Sequence, residues 1–371
     1  MTDAGFLTTS FEVWLLRQGK RLKGKGKRDK FNLSPCPMPN APCPMPHAQC
    51  PLPQSTVNKF RFHIIFVEEE FIMFIPLGFV QRSVLISLGK MAYYTNQGEL
   101  WTTDGMGDTL SERGTLIFFH GIGGGASAYA WSKVYPAFAG DYRVLAPDLI
   151  GWGRSDRLEQ TYLPNDYITM LIEFIEQTCQ PPVTIIASSL TGAFTIRAAV
   201  QRPDLFKSLI LTLPSGIKDF RQYYSNSFFA QIASLPILDR VLYTGQVSNF
   251  GIRDFFERVF ARPNRLSPEI VEAFVRSAEQ PNAEYAALSF LQGNSSFDLS
   301  EYIPKLTTPT IFIWGSQAKF TGPDVGRRLA NLNPQAIKAF IELEDVGLNP
   351  ELEVPEVIIG LIRKFLPVLG Q

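Results

Sequence analysis

From about Ser83 onward, short apolar runs alternate with stretches whose apolar positions recur at helical spacing. Apolar runs bounded by turn formers read as buried strands, and the helical spacing reads as helices that lay one face on them. The predicted strands are Lys90–Thr95, Glu99–Thr103, Leu116–Phe119, Val144–Ala146, Val183–Ala187, Ser208–Leu213, Thr310–Trp314 and Ile337–Leu343. Helices are predicted at Ser127–Phe138, Asn165–Cys179, Leu190–Gln201, Pro323–Asn331 and Val354–Phe365. Such alternation builds an α/β sheet of eight mostly parallel strands flanked by helices. One interval breaks the rhythm. Residues 218–301 hold no convincing strand and several amphipathic runs, and are predicted to form a helical insertion after the sixth strand.

The first seventy residues follow neither pattern. The segment RQGKRLKGKGKRDK, from Arg17 to Lys30, carries eight basic residues against one acid. The stretch from Pro35 divides into PCPMPNA, PCPMPHA and QCPLPQS, a tandem repeat. Prolines at the third and fifth positions of each unit remove backbone donors and exclude helix or internal sheet. Cys36, Cys43 and Cys50 mark the repeat period, and cysteines so spaced on extended chain converge on no metal. Such a repeat is also what a short DNA repeat gives when read in frame. The expectation is therefore that the native chain starts at or near Met73, with residues 1–72 an over-extended gene start.

Composition changes this picture in two places. Lysine plus arginine equals aspartate plus glutamate at 35 each, but residues 1–72 hold ten basic and six acidic side chains, leaving 25 and 29 for the remaining 299. The part expected to fold is mildly acidic, which argues against a nucleic-acid partner. Arg253, Arg258, Arg262 and Arg265 are interspersed with acids and read as solvated helix faces. FIMFIPLGFV, Phe71–Val80, is interrupted by proline and far shorter than the roughly 20 residues of a membrane-spanning helix. A cytoplasmic protein is expected, with peripheral membrane contact as the alternative.

Five blocks in order then resemble the α/β-hydrolase fold family, over roughly residues 85–368. They are LIFFHGIGGGASAYAW, YRVLAPDLIGWGRSD, VTIIASSLTGAFTIRAAVQRPDLFKSLIL, TPTIFIWGSQAKF and FIELEDVGLNPELEVPEVIIGLIRKFL. The resemblance implies residues 73–217 and 302–371 as the hydrolase core and 218–301 as its helical cap. It also implies a nucleophile elbow, a sharp strand-to-helix turn needing small flanking residues. In ASSLTGA that serine is Ser189, with Ala187 and Thr191 where glycines are usual. The backbone amides of Ile122 and Leu190 are then the implied oxyanion hole, beside His120 and Gly121. Helix 190–201 aims its positive end at the same place.

A serine needs a base, ordinarily a histidine oriented by a carboxylate. The family's acid position after the seventh strand falls on Ala318, and its histidine position after Gly347 falls on Leu348. The only histidines are His47, His63 and His120, two in the leader and one in the oxyanion loop, where it is expected to pack and bond backbone. Asp219 is a candidate relocated acid, but does not supply a base. Lys319 sits beside the vacated acid position, and Asp345, Asn349 and Glu351 surround the vacated histidine position. Glycines 121, 123, 124 and 125 lack the Gly-Lys-Ser/Thr ending of a phosphate-binding loop, so no nucleotide cofactor is expected, and no metal. Tyr223, Tyr224, Phe228, Phe229, Phe255, Phe256 and Phe260 line a ligand cavity or, the commoner case, form the insertion's own core.

Ala and Leu in place of a catalytic pair make the cleft more apolar. The preferred reading is a non-catalytic or impaired hydrolase-fold protein holding a small apolar ligand or a protein partner. The alternatives are an active hydrolase of an ester or thioester acyl substrate using Ser189 with a non-standard base, and a scaffold whose cleft is filled by side chains.

Overall fold

The computed structural model describes residues 74–96, 114–221, 243 and 247–369. Eight strands form one sheet in the order β1-β2-β4-β3-β5-β6-β7-β8. They are β1 (Val80–Ile86), β2 (Gly89–Thr95), β3 (Thr115–Phe119), β4 (Arg143–Pro147), β5 (Val183–Ser188), β6 (Phe206–Thr212), β7 (Thr310–Gly315) and β8 (Ile337–Leu343). β1 pairs antiparallel with β2, and β2 antiparallel with β4. All later pairings are parallel. Every residue of β5 and β7 is buried, as expected for central strands covered on both faces.

Period-two alternation sorts the core into two layers. Ile117, Phe119, Ile185, Leu209 and Phe312 face one side and meet α1 (Pro164–Thr178) and α2 (Ser189–Gln201). Phe118, Ile186, Ile210 and Ile313 face the other, against Trp131, Tyr135, Ile358 and Ile362. α1 starts where Pro164 needs no intrahelical donor and where Asp166 accepts the Leu163 amide at 2.8 Å. It stops before Pro181 and Pro182, which cannot continue it.

Between β6 and β7 lie α3 (Asn249–Val259), α4 (Pro268–Ala278) and α5 (Ala283–Leu291). After β7 come α6 (Pro323–Asn331), then α7 (Pro350–Glu353) and α8 (Pro355–Leu369) beyond β8. Phe256 packs edge-on against Phe260 and Phe274 at 5.4 and 4.8 Å, so those rings form the insertion's own core. Phe255 is partly exposed.

Three expectations are corrected. Residues 127–138 form two 3-10 turns, Ala128–Trp131 and Tyr135–Phe138, because Pro136 lacks the donor that a continuous helix needs. β1 was not anticipated; its burial is slight, so an edge strand left no apolar signature. Arg262 and Arg265 are not on a solvated helix face. They flank and occupy a short turn and pair with Asp345. The predicted strand Glu99–Thr103, the leader 1–72 with His47 and His63, and Tyr223, Tyr224, Phe228 and Phe229 lie outside the described residues.

Candidate functional site

β5 ends in the buried Ser188, and the chain turns at Ser189, the first residue of α2, with φ 54. A non-glycine residue with left-handed φ costs about 1–3 kcal/mol and persists only where its surroundings hold it. Small neighbours make the turn attainable: a side chain on Gly192 would press on Pro214 Cβ at 3.2 Å. Leu190 follows at once, so its amide is among the first-turn donors with no partner inside the helix.

The loop after β3 meets this turn. A Cβ on Gly121 would lie 3.1 Å from Ser188 Oγ and 3.4 Å from Ser189 Cβ, which places the His120–Gly121–Ile122 segment directly against the elbow. Gly125, φ 77, lets the insertion close onto the same loop, since a Cβ there would fall 2.0 Å from Phe274 O of α4. His120 is buried and locked. Its Nδ1 lies 2.7 Å from Gly121 O and its Nε2 accepts the Leu149 amide at 3.0 Å, which sets the proton on Nδ1. Burial lowers its pKa, and with both nitrogens committed to backbone it is no base for Ser189.

The loops after β7 and β8 are organised differently. Ala318 closes a turn on Gly315 O at 3.2 Å, and Gln317 bonds Val346 O at 2.9 Å. Lys319 is exposed. Phe320 is 62% exposed with φ 70. The half-buried Leu348 donates its backbone amide to Val259 O at the end of α3, 3.1 Å away. Glu353, one turn on, accepts amides from Gly347 at 3.0 Å and from Ala261 at 2.9 Å, with Arg265 at 3.7 Å. Position 348 is therefore tied to the insertion by backbone.

Asp219 is brought to the same edge of the sheet but is spent on structure. It accepts from Ser215 Oγ at 2.6 Å, Gly216 N at 3.1 Å and Leu299 N at 3.0 Å, while burial pushes its carboxyl up. Glu351 was noted in the sequence only as a neighbour of position 348. It is 2% exposed, with Thr212 Oγ1 at 3.4 Å and Ser188 beside it. Burial pushes its carboxyl up to about 7, against the opposing pull of its own backbone amide and the Ser188 hydroxyl. Ser188 Oγ nevertheless makes no well-directed hydrogen bond, so the two are neighbours and not a bonded pair. A signal existed in Pro-Glu-Leu-Glu-Val, where acids alternate with residues that must be inside.

Among the described residues no cluster of three or more His, Cys, Asp or Glu side chains is placed to hold a metal ion. A small cleft walled by Tyr94, Tyr129, Tyr135, Asp148 and Arg154 does not include Ser189. Asp148 there is a structural hub, accepting the Ala128 and Arg154 amides at 2.7 and 2.9 Å.

A sequence profile of the family described as alpha/beta hydrolase fold matches residues 114–348, more than half of the chain. The uncharacterized hydrolase YugF of Bacillus subtilis is 25% identical over 257 residues, 68% of this chain and 90% of that protein. A 2-hydroxy-6-oxononadienedioate/2-hydroxy-6-oxononatrienedioate hydrolase of Pseudomonas sp is 26% identical over 251 residues, 63% of this chain and 81% of that protein. Among solved structures, a serine hydrolase involved in carbazole degradation, the CarC enzyme, superposes with TM-score 0.62 at 19% identity, covering 78% of this chain and 99% of that one. The epoxide hydrolase CorEH gives TM-score 0.62 at 20% identity, covering 78% and 99%. At such identities the superpositions speak to fold.

Proposed function

Because the chain belongs to the alpha/beta hydrolase fold family, we propose that it keeps the elbow and oxyanion loop of a serine hydrolase but not its triad. On this reading it is non-catalytic or severely impaired and holds a small apolar ligand, or a protein partner, in the former catalytic cleft under a cap made by residues 218–301. The observation that carries it is the absence of a free imidazole beside Ser189 among the described residues. His120 is locked by two backbone bonds, and the histidine position holds Leu348. Ala318 and Leu348 supply no charge to the cleft, which favours an apolar guest. Among the described residues no helix is long and apolar enough to cross a membrane, and a cytoplasmic location belongs to the same proposal.

One observation favours a second reading. Ser189 keeps a left-handed φ of 54 at the strand-to-helix turn with the loop after β3 packed against it, the arrangement a serine nucleophile needs. In that reading Ser189 attacks an ester or thioester carbonyl, the Ile122 and Leu190 amides stabilise the oxyanion, and an unconventional base takes the proton. A fluorophosphonate probe separates the two. The expected result is no labelling of the folded protein above the Ser189→Ala background; rapid labelling that Ser189→Ala abolishes would overturn the first reading in favour of the second.

A further inference from the structure

Glu351 is a buried titratable group that neither reading uses, and unlike Asp219 and Glu353 it accepts no backbone amide from another element among the described residues. It enters the core from α7, between the ends of two central strands, Ser188 of β5 and Thr212 of β6. Among the described residues it makes no ion pair, while Arg265 pairs with Glu353 and Asp345. The charge felt from its own element is that of Glu353, which opposes ionisation. Tyr129, from the 3-10 turn packed on α7, directs its hydroxyl to Glu269, and Glu356 at the start of α8 is exposed. A carboxylate without a cation in a dry site is costly, whereas the neutral acid is tolerated there. Two residues on, Glu353 holds the insertion through Ala261 and Arg265. The short α7 thus touches the elbow at one acid and the insertion at the next.

We propose that Glu351 is a proton-operated catch on the site: neutral, it lets α7 seat against the elbow, and ionised, it loosens α7 together with the Glu353 tie to the insertion. The catch regulates access to the site, and that consequence rests on reading the insertion as its cover. The physical coupling does not. The neutral form prevails below about 7 and the charged form above it, so the coupling acts across neutral pH.

Difference infrared spectroscopy of the full chain, titrated from about pH 5 to about pH 9, tests the first half. A protonated-carboxyl band should disappear with a midpoint near 7 and be missing in Glu351→Gln. Hydrogen exchange, corrected for intrinsic rates, tests the second: protection of residues 186–194 and 259–265 should fall by about tenfold across that midpoint in the natural chain and stay high in Glu351→Gln. Should that variant fail to fold, Thr212→Val serves instead. Losing a hydroxyl that favours the charged form, it should raise the midpoint. A midpoint that Thr212→Val leaves in place, no titrating band, or protection unchanged across the band would each overturn the proposal. None of these readouts needs a ligand or a reactive serine, so labelling of Ser189 would sink the proposed function and leave the catch standing.

Discussion

Two pairs of loops share the carboxyl edge of the sheet and have parted ways. Those after β3 and β5 bring Gly121 against Ser189 and leave the Leu190 amide without an intrahelical partner. Those after β7 and β8 turn their polar groups on each other and on the insertion, through Gln317 to Val346, Leu348 to Val259 and Glu353 to Ala261. Both pairs contain left-handed residues, Ser189 in one and Phe320 and Asp345 in the other. Strain alone therefore does not mark a working site. What distinguishes the pairs is what they hold: in one the loop after β3 lies against the turn at Ser189, in the other the polar groups are consumed by each other and by the insertion.

The sharpest way to break the contrast is to crowd each side by one methyl. A Cβ on Gly347 would fall 2.2 Å from Val259 O and 2.8 Å from Ala261 N, all backbone that cannot step aside. Gly347→Ala should cost about 3 kcal/mol or more, or prevent folding, as overpacking against backbone does. Gly123, in the loop after β3, meets nothing within 4 Å, and Gly123→Ala should stay within about 0.5 kcal/mol. Urea unfolding of both variants measures the gap. Equal costs would mean that position 123 is as tightly packed as position 347.

Next in size is the pH dependence seated on the tied side. The folded pKa of Glu351 is raised from 4.5 to about 7, so the folded state binds more protons than the unfolded state between those values. Its favourable contribution is complete below about 4.5 and is lost as pH rises through about 7, roughly 3 kcal/mol as an upper bound. Glu353 and Asp219, also raised by burial, act in the same direction, so the natural chain minus Glu351→Gln isolates one carboxyl. Glu351→Gln should match the natural chain in acid and exceed it in stability above neutrality. Parallel denaturation curves at all pH values would remove Glu351 from the account.

How far this contrast was legible beforehand depends on what each residue type reveals. β3, β5 and β7 were readable because strands buried on both faces show nearly unbroken apolar runs, as TLIFF and TIFIWG do. The turn at Ser189 between β5 and α2 was readable because a sharp strand-to-helix turn needs small residues around it. β1 escaped notice because VQRSVLI is mostly exposed along an edge. The aromatic spacing of Tyr129, Trp131, Tyr135 and Phe138 imitated a helix that Pro136 forbids. Glu351 was passed over and Arg265 misjudged for a deeper reason: burial of a charged side chain is decided by partners distant in sequence, here Thr212 and Asp345.

The smallest effect probes the open side directly. If φ 54 at Ser189 is held by its surroundings, a residue without Cβ should relieve the cost of that conformation. Ser189→Gly should then stabilise the folded chain by about 1 kcal/mol relative to Ser189→Ala, less the entropy that glycine adds to the unfolded chain. Using Ala as the reference removes the hydroxyl from both variants, so the difference reports backbone strain and not a lost hydrogen bond. Gly125, already a glycine at φ 77 under Phe274 O, shows how this edge behaves when a side chain is not tolerated at all. Ser189 differs in that it already carries a Cβ, which lies 3.4 Å from where a Gly121 side chain would begin. A Ser189→Gly variant less stable than Ser189→Ala would mean that the turn is comfortable as it stands and that its left-handed φ stores no strain.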